Sequence, residues 1–304
     1  IILRDREFCN LSEVVVRESD TRESLLRKVR LATILGTMQS TLTNFKYVSA
    51  MWKKNCEEER LLGVSLTGIM DNELTNGKSG DVGKLLDELR EEAVKVNKEY
   101  ASKIGIPVAA AITCVKPSGT VSQLVDAASG IHARHNPFYI RTVRGDKKDP
   151  LTKMMVDAGF PVEDDVMNPS HTSVFSFPMK VHKSAVFRTD MTAIEQLELW
   201  LTYQKHWCEH KPSVTISVKE HEWLDVGAWV YANFDYMSGV SFLPFSDHTY
   251  RQAPYQDCSE QEYKELLDTM PKDVDWSSLS NYESTDLTLG AQEMACAAGG
   301  CEIV

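Results

Sequence analysis

No apolar run in these 304 residues approaches the ~20 positions that a bilayer span requires. The opening "IILRDREFCN" has no basic stretch followed by an apolar core, so it does not read as a secretory signal. A cytoplasmic protein without a membrane partner is expected. Basic charge is also in short supply: 33 Lys and Arg stand against 44 Asp and Glu, for a net charge of −11. That balance excludes a broad basic face for nucleic acid. It leaves room for a small anion held by backbone N–H groups at a helix start. Several signatures are missing as well. There is no Walker loop, no glycine-rich dinucleotide fingerprint, no H-E-x-x-H, no D-x-H-x-x-G and no internal repeat. His206 and His210, spaced i,i+4, could grip a metal on a helix, but no further ligand stands at a useful spacing, so no metal site is assigned.

What is present is a chain of ordinary globular composition, 42% apolar and 25% charged, in which strand patterns alternate with helix patterns. Strands are expected at about Ser12–Arg17, Leu61–Met70 and Val108–Val115, and later in "PFYIRTVRG", "TSVFSFPMKV", "PSVTISV" and "GVSFLP". A helix should start at Asp20, in capping-box spacing with Glu23. Its apolar face would be Leu25, Leu26, Val29, Ala32, Leu35 and Met38. Further helices are expected in the long stretch ended by Gly105 and Pro107, at Pro150–Gly159, in "MTAIEQLELWLTYQKHWC" and in "SEQEYKELLDTM". The alternation implies an α/β fold with a covered, mainly parallel sheet. Two regions are expected: 1–270 as a folded body and 271–304 as a loosely ordered tail.

Two features bear chemistry. In "KPSGTVS" a strand end leads through a turn at Lys116–Gly119 into a short helix from about Thr120. Gly119 lets the backbone approach a ligand, Ser118, Thr120 and Ser122 offer hydroxyls, and the helix start offers N–H groups. The same residues also fit a plain strand–turn–helix with a Ser or Thr cap. The second feature is the ending "MACAAGGCEIV". Cys296 and Cys301 stand there on small, flexible spacers, which would let two thiols meet within disulfide distance. They read either as a dithiol shuttle or as two thiols on a frayed end. The remaining five cysteines, Cys9, Cys56, Cys114, Cys208 and Cys258, read from their own surroundings as structural.

Taken in order, "LRDREFCNLSEVVVR", "ERLLGVSLTGIMD", "VKPSGTVSQLVDAASGIHARH", "GVSFLPFSDHTYRQAPYQDC" and "CAAGGCEIV" resemble the adenosylcobalamin-dependent (class II) ribonucleotide reductases of the monomeric ribonucleoside-triphosphate type. The resemblance implies the C-terminal half of a ten-stranded α/β barrel, with a flexible redox tail. It implies reduction of ribonucleoside triphosphates to deoxyribonucleotides by a thiyl radical, with adenosylcobalamin as cofactor and thioredoxin or a similar dithiol as reductant. By the same resemblance Cys9 is one member of the reducing cysteine pair. Pro117, Ser118, Gly119, Thr120, Val121 and Ser122 bind the substrate phosphates, and Cys296 and Cys301 shuttle electrons to the active site. The family's Asn-Pro-Cys-Gly-Glu finger loop would stand just before Ile1, and Asn10 and Glu13 do not replace it. The expectation is therefore a half-chain that needs a missing N-terminal half and is inactive alone. It would come from a split gene, an intein-interrupted gene or an incompletely read sequence. A general thiol–disulfide exchanger and a non-catalytic nucleotide-binding module are the alternatives.

Overall fold

The computed structural model describes residues 3–245 and 250–283. In chain order its strands are β1 (Asn10–Val15), β2 (Leu62–Thr67), β3 (Thr113–Cys114), β4 (Phe138–Asp146), β5 (Val162–Asp164), β6 (Thr172–Lys180), β7 (Val214–Val218), β8 (Val240–Pro244) and β9 (Tyr255–Asp257). The α-helices are α1 (Arg22–Gln39), α2 (Ala50–Glu59), α3 (Val82–Ile104), α4 (Val121–Leu124), α5 (Pro150–Asp157), α6 (Ala193–His206), α7 (Trp223–Ala232), α8 (Glu260–Thr269) and α9 (Leu279–Tyr282). Contacts group the described residues into two units, one within 1–134 and 184–245, the other within 135–183 and 246–304.

The first unit is built on parallel strands. β1, β2 and β3 pair in that order, with Asn10 opposite Leu62 and Ser65 opposite Cys114. Val115 then bridges Pro212 in parallel, and the Ser213 N–H donates to the Val115 carbonyl at 2.9 Å. That pairing leads into β7, which pairs in parallel with β8. Every residue of β2 is buried, as its nearly continuous apolar run, broken by Gly63 and Gly68, predicts for a strand covered on both faces. The helices pack on one side. Leu25 and Val29 of α1, Leu86 and Leu89 of α3 and Trp200 and Tyr203 of α6 enclose Leu62, Val64 and Leu66 in one core. Full burial of each such side chain contributes about 1.5–3 kcal/mol.

Several local expectations are corrected. The cap of α1 is Thr21, not Asp20, and its reciprocal partner is Ser24. Leu35 and Met38 are exposed, while Thr33, Gly36 and Thr37 face the core. The Thr33 and Thr37 hydroxyls donate to the carbonyls of Val29 and Thr33 at 2.8 and 2.7 Å, which lets threonine pack as a core residue. The strand expected from Val108 is confined to Thr113–Cys114, and α4 is a single turn. Helix α6 stops at His206, so His210 lies beyond it.

The second unit departs from the expected parallel sheet. Its four strands run β5-β6-β4-β9, and each neighbouring pair is antiparallel. Val174 and Phe175 of β6 and Tyr139 of β4 are buried in it. Within 271–283 the described residues include the short helix α9. Trp276 lies tilted against Phe160 with ring centroids 5.9 Å apart, and the Tyr282 hydroxyl donates to Asp157 at 3.0 Å.

Candidate active site

The site is built on the sheet face of the first unit opposite the helices. Alternation along β1 and the residues flanking it buries Asn10, Ser12, Val14 and Val16 toward the helices. It turns Cys9, Leu11 and Glu13 the other way. On the neighbouring strand the residue beside them is Gly63. A Cβ there would collide with Leu11 and would lie 3.0 Å from Cys9 Sγ and 3.5 Å from Cys114 Sγ. Glycine thus opens the space into which both sulfurs project. Burial pushes the Cys9 thiol up to about 12, the nearby Cys114 sulfur adding to the shift. Burial pushes the Cys114 thiol up to about 12 as well. Both are therefore held as thiols at neutral pH, with the hydrogen on sulfur.

The loop after β3 leaves the carboxyl end of the parallel strands, where ligands of α/β sheets bind. Its shape is fixed from within. The Lys116 N–H donates to Ser65 Oγ at 2.9 Å and the Ser118 N–H to Ser129 Oγ at 3.1 Å. The Ser118 hydroxyl donates to Glu13 Oε2 at 3.0 Å and accepts the Ser122 N–H at 3.1 Å. The Ser122 hydroxyl donates to the Ser118 carbonyl. Ser118 and Ser122 are buried, whereas Pro117, Thr120 and Val121 are exposed and Gly119 is half-buried. Among the described residues no hydrogen bond takes up the N–H of Gly119, Thr120 or Val121. The arrangement can offer backbone donors to an anion, while the hydroxyls of Ser118 and Ser122 face inward.

Four residues that the sequence reading left unassigned hold this loop in place. Asp71, just past β2, receives Arg134 Nε at 2.8 Å, Arg134 Nη2 at 2.9 Å and the Ala128 N–H at 2.8 Å. Asp71 and Arg134 are both buried. Such a forked pair ties the far end of the loop to the sheet. Gly68, in the left-handed region at φ 79°, makes the turn that brings Asp71 there; its N–H donates to the Ala128 carbonyl at 2.7 Å. His132 accepts the Thr215 N–H on Nε2 at 3.0 Å, which places its proton on Nδ1, against the Ser129 carbonyl at 2.9 Å. Burial holds its pKa below the usual histidine value. No spacing rule joins Asp71 to Arg134 or His132 to Thr215, because the partners are far apart in sequence. The one available signal was the dense run of small and charged residues in "VDAASGIHARH".

The other expected site residues are not brought to this place. Cys296 and Cys301 lie outside the described residues. His206 faces Asp87 at 2.9 Å, and His210 Nε2 faces the Leu62 carbonyl at 2.7 Å. Among the described residues no group of three or more His, Cys, Asp or Glu could hold a metal ion, and no helix is long and apolar enough to cross a membrane.

No protein-family model matches the chain. Over 292 residues, 93% of this chain and 38% of the relative, it is 28% identical to the adenosylcobalamin-dependent ribonucleoside-triphosphate reductase of Euglena gracilis. It is 32% identical over 297 residues to a probable reductase of that name from Dictyostelium discoideum, covering 92% of this chain and 36% of the relative. The corresponding Lactobacillus leichmannii enzyme is 24% identical over 333 residues, covering 100% of this chain and 44% of the relative. The chain thus spans well under half the length of the curated relatives it matches. A crystal structure of a B12-dependent (class II) ribonucleotide reductase superposes with a TM-score of 0.74 at 21% identity, over 94% of this chain and 43% of that one. At that identity the likeness is one of fold. The resemblance read from the sequence holds along nearly the whole chain.

Proposed function

We propose that this chain, a relative of the adenosylcobalamin-dependent ribonucleoside-triphosphate reductases, is the part of such an enzyme that holds the substrate phosphates and one reducing thiol. The observation that carries the reading is the placement of Cys9, just before β1, beside Gly63, and of Glu13 on β1, where it anchors the loop that carries the unpaired Gly119–Val121 N–H groups. In this reading the parallel strands β1, β2, β3, β7 and β8 are one five-stranded half of the family's barrel, and residues 271–304 end in its redox tail.

The triphosphate is held by the N–H groups of Gly119, Thr120 and Val121, and Pro117 stiffens the entry to the loop. The ribose then lies along β1 toward Cys9. Two thiols supply two electrons and two protons, the ribose 2′-hydroxyl departs as water, a C–H bond replaces the C–O bond, and the thiols become a disulfide. Cys9 is one of the two, and its high pKa keeps its hydrogen on sulfur until it is needed. The second thiol belongs to the partner half of the enzyme. Cys296 and Cys301 reduce the resulting disulfide by exchange, and thioredoxin or a similar dithiol resets them. Adenosylcobalamin, when bound, supplies the carbon radical that starts the family's chemistry. The donors described here, two thiols and a carboxylate beside an anion loop, suit the substrate end of the reaction and include no cradle for a corrin, so no step is routed through it.

The test is made in the complete enzyme with a ribonucleoside triphosphate as substrate. Cys9→Ser should stop turnover with every reductant. The Cys296→Ser/Cys301→Ser variant should fail with thioredoxin yet recover in part with a small dithiol. Equal loss with both reductants would remove the shuttle role. A general thiol–disulfide exchanger would instead keep its exchange activity after replacement of the Pro117–Ser122 loop.

A further inference from the structure

We propose that Glu13 is the positioning residue of the anion loop: it fixes the Ser118 hydroxyl and, through it, the loop turn that leaves the Gly119–Val121 N–H groups unpaired. The inference rests on the reading of that loop as a phosphate holder.

Glu13 is half-buried on the side of β1 away from the helices, and among the described residues no ion pair with Lys, Arg or His engages it. Burial pushes its pKa up, and the Ser118 hydrogen bond opposes that shift. A carboxylate taken partly out of water without a cation is unfavourable, so this placement needs a compensating role. Its contact supplies one. A serine hydroxyl has one hydrogen and a free choice of direction. At Ser118 the hydrogen points to Glu13 Oε2 at 3.0 Å, which leaves the oxygen's lone pairs to accept the Ser122 N–H at 3.1 Å. That second bond closes the first turn of α4 around the loop. The Ser122 hydroxyl, bound back to the Ser118 carbonyl, locks the same turn from the other side. With the Ser118 and Ser122 hydroxyls both spent within the loop, the N–H groups of Gly119, Thr120 and Val121 have no hydrogen-bond partner among the described residues. Remove the acceptor at position 13 and the Ser118 hydroxyl is free to turn. The Ser122 N–H then competes for a moving partner, and the turn that carries the Gly119–Val121 N–H groups loosens. Glu13 lies four residues past Cys9, which stands just before β1, so the residue that orients the loop is close in sequence to the proposed reducing thiol.

The experiment uses the full chain and the variants Glu13→Ala, Glu13→Gln, Ser118→Ala and the double Ala variant. Two quantities are read: amide hydrogen exchange at residues 119–122, and the Kd for inorganic triphosphate by calorimetry. Glu13→Ala should speed exchange in the loop and raise Kd about tenfold, the scale of one lost hydrogen bond. Glu13→Gln keeps an acceptor oxygen at the same reach and should stay within about threefold of wild type. Ser118→Ala should match Glu13→Ala, and the double variant should be no worse than either single one, because both act through one hydroxyl. If Glu13→Ala does not fold, Ser118→Ala and Glu13→Gln make the same comparison. Unchanged exchange and affinity in Glu13→Ala would overturn the proposal, and so would additive losses in the double variant. Faster loop exchange in Glu13→Ala together with no triphosphate binding by wild type would support the positioning role and sink the phosphate reading instead.

Discussion

Cys9 and His132 are each controlled by burial, with opposite consequences. Cys9 is kept protonated, its thiol pushed up to about 12. The thiolate is the alkylating form, so at pH 8 Cys9 should react with iodoacetamide about a thousandfold more slowly than an unperturbed thiol of pKa ≈ 8.5. Its rate should then rise about tenfold per pH unit. Peptide mass spectrometry resolves this residue by residue; a Cys9 rate equal to that of a free thiol would remove the basis for calling it a held hydrogen donor. His132 is kept neutral, its proton on Nδ1 and its Nε2 accepting from Thr215. Its folded pKa is depressed by burial, so above the unfolded value of about 6.5 both states are neutral and the full stability is present. As pH falls below about 6.5 the unfolded chain takes up the proton first, and stability is lost down to the folded pKa. Denaturant titrations between pH 7 and 5 should show this loss, and His132→Gln should lessen its slope by up to about 1.4 kcal/mol per pH unit. An identical slope in the variant would show that His132 titrates alike in both states. His210 is depressed by burial too and adds loss in the same direction.

Strand β2 and the loop clamp show how elements place these residues. Gly63→Ala puts a methyl against Leu11 and the two sulfurs. Overpacking of this kind costs about 1–3 kcal/mol. The urea midpoint should fall accordingly, and Cys9 should become more accessible as its sulfur is displaced. Asp71→Asn leaves Arg134 buried with its fork half answered. Breaking one side of a buried pair costs about 3–5 kcal/mol, and exchange should rise first at Ala128, whose N–H donates to the same carboxylate. Much of the surrounding architecture was legible in the sequence. The nearly continuous apolar run of β2 announced a buried strand, and α3 ends at Gly105 as its composition indicated. The turn at "KPSGT" also stood out. What the pattern missed has a physical reason in each case. The core face of α1 is rotated because Thr33 and Thr37 satisfy their hydroxyls within the helix, a device that an apolar count reads as polar. Glu13, Asp71 and His132 act through partners that the sheet brings together, and no local spacing encodes those meetings. Position 9 shows the limit from the other side: its surroundings in sequence suggested only a buried cysteine, and resemblance alone gave it a role.

At the scale of the whole molecule, the two units are built by different rules. The first is a parallel sheet covered by helices, with its core in Leu62, Val64, Leu66, Leu86, Leu89 and Trp200. The second is an antiparallel sheet around Val174, Phe175 and Tyr139. Each has its own apolar interior, and both are discontinuous in the chain. Separate cores allow separate opening. Leu89→Ala removes a fully buried side chain from the first core and should cost about 2–5 kcal/mol there. Phe175→Ala should cost about 3–5 kcal/mol in the second. Hydrogen exchange by mass spectrometry distinguishes the two cases, because each amide reports the opening of its own unit. Leu89→Ala should lower protection in β2 and α3 while leaving β4 and β6 near wild type, and Phe175→Ala should do the reverse. If both variants lowered protection uniformly through the chain, the molecule would open as one cooperative body. The anion loop and Cys9 would then depend on the antiparallel sheet as much as on the strands that carry them. If the effects stay separate, the chemistry proposed for Cys9 depends on the parallel unit, and substitutions in the antiparallel unit should leave triphosphate affinity unchanged.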